Sequence, residues 1–65
     1  MKPNWDDAPE WAEWRSKNGD GQAFYYQYKP RWNWMTARWQ KGKGWSGTAN
    51  AQIDGLAKYS LERRP

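Results

Sequence analysis

The chain has 65 residues and a net charge of +4, so it is at most one small domain in the size range where a hydrophobic core is marginal. It contains no histidine and no cysteine, which excludes disulfide bonds, thiolate metal sites and catalysis by either residue type. No apolar run approaches the length of a signal-peptide core or a membrane span, so we expect a soluble cytosolic protein that does not bind membranes.

Aromatic residues dominate the apolar content. Seven tryptophans, four tyrosines and one phenylalanine stand against only three branched aliphatics. The tryptophans are Trp5, Trp11, Trp14, Trp32, Trp34, Trp39 and Trp45. Because a chain of this size needs most of its apolar surface for folding, we expect an aromatic core with a minority of the rings left for a partner.

The charge is unevenly distributed. Residues 1–14 carry a net charge of −3, and residues 15–43 carry seven basic residues and one acidic residue. Two interpretations stay open at this stage: a solvated dipolar surface, or a basic face for an anionic partner.

The first predicted element is a short helix at about residues 8–16. Asp7 can cap it, Pro9 fits its first turn, and Glu10 follows the cap by three residues as in a capping box. Trp11 and Trp14 would share one face. The residues Ser16-Lys17-Asn18-Gly19-Asp20-Gly21 then predict a turn.

Residues 22–28 are rich in strand formers, residues 29–31 around Pro30 resemble a turn, and residues 32–39 alternate again. This pattern predicts a hairpin in which Tyr28 lies opposite Trp32 and Tyr26 opposite Trp34. Residues 31–40 also fit helical spacing, but the alternation favours a strand.

The remaining elements are a basic turn, a short strand and a helix. Lys41-Gly42-Lys43-Gly44 predicts the turn, and Trp45 begins a third strand or an anchored loop. Asn50 can cap a final helix with the apolar stripe Ile53, Leu56, Ala57 and Leu61. The predicted fold is a single α+β domain over residues 1–65, with a two- to three-stranded antiparallel sheet, a short N-terminal helix and a C-terminal amphipathic helix on one face.

The sequence does not predict an enzyme, a cofactor or a metal site. The N-terminal carboxylates stand where a helix N-terminus favours acids. Asn18-Gly19-Asp20-Gly21 lacks the later ligands of a calcium loop, and the basic turn at residues 41–44 lacks the spacing of a phosphate-binding loop.

Binding is the better-supported prediction. The aromatic face of the predicted sheet bears Phe24, Tyr26, Tyr28, Trp32 and Trp34, and we expect at least three of these residues in the core. The opposite face is then the exposed one, because a sheet alternates its side chains. The predicted partner-binding residues are Tyr25, Met35, Arg38, Trp39, Lys41, Lys43 and Trp45.

The segment from Trp5 to Trp14 reads W-x-x-A-P-x-W-A-x-W, and a Gly-Asp-Gly turn and an aromatic strand ending in Lys29-Pro30 follow it. In these features residues 5–30 resemble small proteins of tailed bacteriophages. The resemblance implies a phage accessory protein made in a bacterial host, without an assigned activity.

The order Trp14, Gly19-Asp20-Gly21, Tyr25-Tyr26 and Trp34 also resembles part of a WW domain. The second hairpin lacks the Asn-His and Thr positions of that family, and no proline follows Trp34. The resemblance therefore gives only weak support for binding of proline-rich peptides by this chain.

Together these features predict a non-enzymatic phage accessory protein that acts as a small protein-binding module for a host or phage protein. The alternative is single-stranded nucleic-acid binding through an aromatic sheet face and the basic loop. Formation of a homodimer is a third outcome left open.

Overall fold

The computed structural model describes residues 5–49 and 53–65, and within them the regular secondary structure is almost wholly antiparallel β-strand. The strands are β1 (Trp14–Lys17), β2 (Ala23–Tyr26), β3 (Arg31–Asn33), β4 (Arg38–Gln40), β5 (Ser46–Ala49) and β6 (Glu62–Arg63). The described residues include one 3₁₀ turn, Ala57–Tyr59, and no α-helix. The predicted α+β fold with two helices is therefore wrong.

The strands form two sheets. A four-stranded sheet has the order β5-β2-β1-β6, and β3 and β4 form a separate hairpin. The central strands β1 and β2 are joined by the turn that Gly19-Asp20-Gly21 predicts, which is closed by a 3.0 Å hydrogen bond from the Gln22 backbone N–H to Asp20 Oδ1.

The predicted N-terminal helix is replaced by two tight turns and a strand. The Ala8 N–H donates to the Trp5 carbonyl, and the Ala12 N–H donates to the Pro9 carbonyl. Glu13 already belongs to the sheet network, because its N–H donates to β2 and its carbonyl accepts from Arg64. Pairing on both sides thus supplies the backbone partners that a helix would otherwise have provided.

The predicted C-terminal helix is also wrong. Gly55 has φ of +92°, a left-handed conformation that a helix does not tolerate, and Leu56 of the predicted apolar stripe is exposed. Beyond the 3₁₀ turn the chain becomes β6, which pairs with β1 at the edge of the sheet. The predicted cap, Asn50, lies outside the described residues.

The aromatic hairpin pairs differently from the prediction. Tyr26 lies opposite Trp14 on one side and Ser46 on the other, because β2 is a central strand. Trp32 lies opposite Trp39, with ring centroids 5.4 Å apart. Residues 31–40 therefore form neither one continuous strand nor a helix, but two short strands around a turn.

The core lies on one face of the four-stranded sheet. Ala23, Tyr25 and Ala49 point to this face and pack against Ala12 and Ile53. Three half-buried residues of the N-terminal turns, Trp5, Ala8 and Trp11, cover this cluster. The other face of the sheet bears Phe24 and Tyr26, and the β3–β4 hairpin lies over it.

The ion pair Arg15–Glu62 lies beside the core, with Arg15 buried and Glu62 half-buried. Arg15 of β1 is fully buried, and its Nε donates to Oε2 of Glu62 at 2.8 Å. Its guanidinium carbon also lies 4.3 Å from the centre of the Trp5 ring. Arg15 therefore connects the N-terminal turns to both β1 and β6.

Candidate binding surfaces

The β3–β4 hairpin is fixed to the sheet through Trp39 of β4 and through Ala37, which precedes β4. The Trp39 backbone N–H donates to Asn18 Oδ1 at 2.8 Å, and the Tyr26 hydroxyl donates to the Trp39 carbonyl at 3.4 Å. The Gly19 N–H donates to the Ala37 carbonyl at 2.8 Å. The turn between β1 and β2 and the hairpin therefore hold each other in place.

The Trp39 side chain fixes the hairpin to the 3₁₀ turn. Its indole N–H donates to the Ala57 carbonyl at 2.9 Å, so the 3₁₀ turn holds the ring. Edge packing against Trp32 adds a contact between the two strands of the hairpin. Trp39 is thus a structural centre of the hairpin, although we predicted it as a partner contact.

Residues 34–37 connect β3 to β4, and we call them the hairpin tip. Trp34 is 80% exposed and Met35 is 76% exposed. The Met35 N–H donates to Asn33 Oδ1 at 3.0 Å, which closes the turn, and Ala37 adopts φ of +54°. The tip therefore exposes two large apolar side chains to solvent on a hairpin that hydrogen bonds hold in place.

A groove of about 570 Å³ separates the hairpin from the sheet. Its lining consists of Asn18, Phe24, Tyr26 and Ser46 from the sheet side and Thr36, Arg38, Trp39, Gln40 and Lys41 from the hairpin side. None of these described lining residues is acidic. The groove therefore combines aromatic surface with two cationic side chains.

The cations of the groove are accessible. Arg38 Nη2 lies 3.8 Å from Asp20 Oδ2, and both side chains are more than half exposed, so the attraction between them is weak. Lys41 is also exposed. In the floor of the groove, burial raises the pKa of Tyr26, so its phenol keeps its proton to a higher pH than an exposed tyrosine would.

The structure divides the predicted partner-binding residues among five places. Arg38, Trp39 and Lys41 line the groove, and Met35 stands on the hairpin tip. Lys43 Nζ lies 4.9 Å from the centre of the Tyr28 ring, and the exposed Trp45 packs perpendicular to Trp11 with ring centroids 5.9 Å apart. Tyr25 is only 5% exposed and packs beside Trp5 in the core.

The burial of Tyr25 reverses the predicted assignment of the sheet faces. The face with Tyr25 is the core, and the face with Phe24 and Tyr26 borders the groove. Among the five aromatics predicted on one face, Tyr26 is buried, Phe24 and Trp32 are half-buried, and Tyr28 and Trp34 are exposed.

The sequence did not predict the places of two residues at these surfaces, Trp34 and Asn18, whereas Phe24 was already part of the predicted nucleic-acid-binding face. Trp34 was assigned to a cross-strand ladder because it continues the alternation of Trp32. The overlooked signal was Asn33, whose side chain favours a turn two residues later. Asn18 was assigned only to a turn, although its side chain also bonds to Trp39.

Across residues 5–49 and 53–65, the structure has no group of three or more histidine, cysteine, aspartate or glutamate side chains placed to hold a metal ion. In the same residues no helix has the length and apolar character needed to cross a membrane.

Comparison with known proteins gives no relative: no family model, curated protein or solved structure matches the chain. The two resemblances of the sequence therefore stay predictions. The surfaces themselves have to carry the functional argument.

Proposed function

We propose that the chain is a non-enzymatic phage accessory protein of the bacterial cytoplasm, which binds a host or phage protein by inserting its hairpin tip into an apolar pocket. The observation that carries this proposal is the exposure of Trp34 and Met35 side by side.

Leaving these side chains in water is costly for this chain. A core is marginal in a chain of 65 residues, and these two large apolar side chains contribute nothing to it while they stay exposed. Burying each of them in a partner would be worth about 1.5–3 kcal/mol. Tryptophan is also among the residues that most often dominate binding energy at protein interfaces.

The geometry of the hairpin supports the same conclusion. Trp39 of β4 is held by Asn18, Tyr26 and the 3₁₀ turn, so a partner does not have to order the hairpin. A binding element that is ordered beforehand loses less conformational entropy on association. The phage setting rests on the resemblance of residues 5–30 alone, and the hairpin tip lies outside that segment.

A pull-down from bacterial lysate tests this proposal. The immobilised chain should recover a stoichiometric protein, and the double substitution Trp34→Ala, Met35→Ala should abolish recovery. A matched control is Leu56→Ala, Tyr59→Ala, which removes two equally exposed apolar side chains from another part of the surface. The control should recover the same protein in the same amount.

Two results would contradict the proposal. One is recovery that does not depend on the hairpin tip, and the other is the absence of any stoichiometric protein. Mass measurement of the free chain tests for self-association. If the chain is a dimer and the tip substitutions dissociate it, the tip binds a second copy of the chain. Binding centred on apolar side chains should also change little with salt concentration.

A further inference from the structure

The groove is a second surface, distinct from the two apolar side chains of the hairpin tip. Trp34 and Met35 are not among its lining residues. Its volume of about 570 Å³ lies within the range of pockets that hold a small ligand or one unit of a polymer.

The charges of the groove select an anion. Arg38 and Lys41 stand on the hairpin side, and no described lining residue is acidic. Asp20 reaches Arg38 only at 3.8 Å between two exposed side chains, so a phosphate could replace it at little cost. The surrounding sequence adds to this field, because residues 15–43 carry a net charge of +6.

The sheet side of the groove supplies an aromatic surface. Phe24 is half-buried, which leaves part of its ring open, and Tyr26 packs beside it with ring centroids 6.5 Å apart. Ser46 and Gln40 add hydrogen-bonding side chains at the same groove. Aromatic rings flanked by cations are the usual means of binding single-stranded nucleic acid, since a base stacks while its phosphates are neutralised.

We propose that the groove binds single-stranded nucleic acid, with one base against Phe24 and the adjoining phosphates at Arg38 and Lys41. A duplex does not fit this arrangement, because its bases are already stacked on one another and are not free to enter the groove. An acidic peptide would satisfy Arg38 and Lys41 but would leave the Phe24 ring without a stacking partner.

The test is fluorescence anisotropy with a labelled oligothymidylate of about eight nucleotides, within the usual length bound by one small domain. The wild-type chain should bind at low salt and weaken as salt rises. The variant Arg38→Gln, Lys41→Gln should bind more weakly, and its logarithmic salt slope should be shallower by roughly 1.4, since each neutralised phosphate contributes about 0.7.

The matched control is Lys58→Gln, Arg63→Gln, which removes the same charge outside the groove. These cations lie near the rings of Tyr59 and Trp14, respectively. The control should keep most of the affinity and the wild-type salt slope. Trp34→Ala should also bind normally, so failure of the protein-binding proposal and failure of this one are distinguishable.

The base contact is tested separately. Phe24→Leu should lower affinity on the order of tenfold, as expected for a lost stacking contact. Thermal unfolding of each variant shows whether the fold is kept. If Phe24→Leu does not fold, competition on the wild-type chain decides, because an abasic oligonucleotide should compete much less well than oligothymidylate.

Three results would overturn the proposal. These results are competition by the abasic strand as strong as that by the thymidylate strand, displacement of the labelled strand by oligoglutamate at the same concentration, and a loss of affinity in the control variant as large as in the groove variant. The first and third would reduce the binding to general attraction between charges, and the second would assign the groove to acidic peptides.

Discussion

Oδ1 of the buried Asn18 accepts a hydrogen bond of 2.8 Å from the backbone N–H of Trp39. Asn18 belongs to the turn after β1, and Trp39 is the central residue of β4. One side chain thus joins the four-stranded sheet to the separate hairpin that carries both candidate binding surfaces.

Asn18→Ala should lower the free energy of unfolding by about 1–3 kcal/mol, because it leaves the Trp39 N–H without its acceptor in a partly buried site. Asn33→Ala is the matched control, since Asn33 Oδ1 accepts from the Met35 N–H in an exposed turn. Urea unfolding followed by tryptophan fluorescence should show a loss of about 0.5 kcal/mol or less for the control. Equal losses would mean that Asn18 does not join the two sheets.

Glu62→Ala should be more damaging, because it removes the carboxylate that pairs with the fully buried Arg15 at 2.8 Å. Removing one partner of a buried ion pair typically costs about 3–5 kcal/mol, and the 32% exposure of Glu62 places this pair toward the lower end. Glu62→Gln should cost less, since the amide oxygen can still accept the hydrogen bond. Thermal or urea unfolding measures both.

The exposed Arg38–Asp20 pair is the control for this ion pair. Arg38→Ala should change the free energy of unfolding by less than about 1 kcal/mol, because solvent screens the attraction at 3.8 Å. If Arg38→Ala lost more free energy of unfolding than Glu62→Ala, burial would not determine how much each ion pair contributes to stability.

The sequence predicted local turns better than it predicted tertiary pairing. The turn at Gly19-Asp20-Gly21 and strand formation within residues 22–28 follow from side-chain chemistry close in the chain. The predicted helix at 8–16 does not form, because its capping residues favour a helix N-terminus only locally. Trp14 instead pairs with Tyr26 and Arg63 in the sheet. Pairing between residues so distant in sequence cannot be predicted from a local pattern.

The binding surfaces were predicted in part for the same reason. The basic residues Arg38 and Lys41 were selected by composition, and they do meet at one groove. Tyr25 was predicted to be exposed but is buried, because alternation gives two faces without saying which face is covered. That choice depends on the N-terminal turns packing on the Tyr25 side, which only the folded chain reveals.

Gly44→Ala should destabilise the protein by about 1–3 kcal/mol. Gly44 has φ of +76°, and a Cβ there would lie 2.6 Å from both Gln27 Oε1 and Tyr28 Cδ2. Gly42 in the same loop is the control, because an added Cβ meets nothing within 4 Å. Gly42→Ala should stay within about 0.5 kcal/mol of wild type. Urea unfolding of both variants measures the difference, and similar values would contradict the tight approach at Gly44.

Tyr26 should make the protein less stable at alkaline pH. Burial raises its pKa in the folded protein above the ordinary value of 10.0, so the unfolded chain loses this proton first. The stabilisation is therefore fully present below pH 10 and declines as the pH rises above 10 toward the folded pKa. Tyr26→Phe should flatten this decline in urea unfolding measured from pH 8 to 11, whereas Tyr59→Phe, at an exposed position, should leave it unchanged. An identical decline in wild type and Tyr26→Phe would show that other groups cause the alkaline loss.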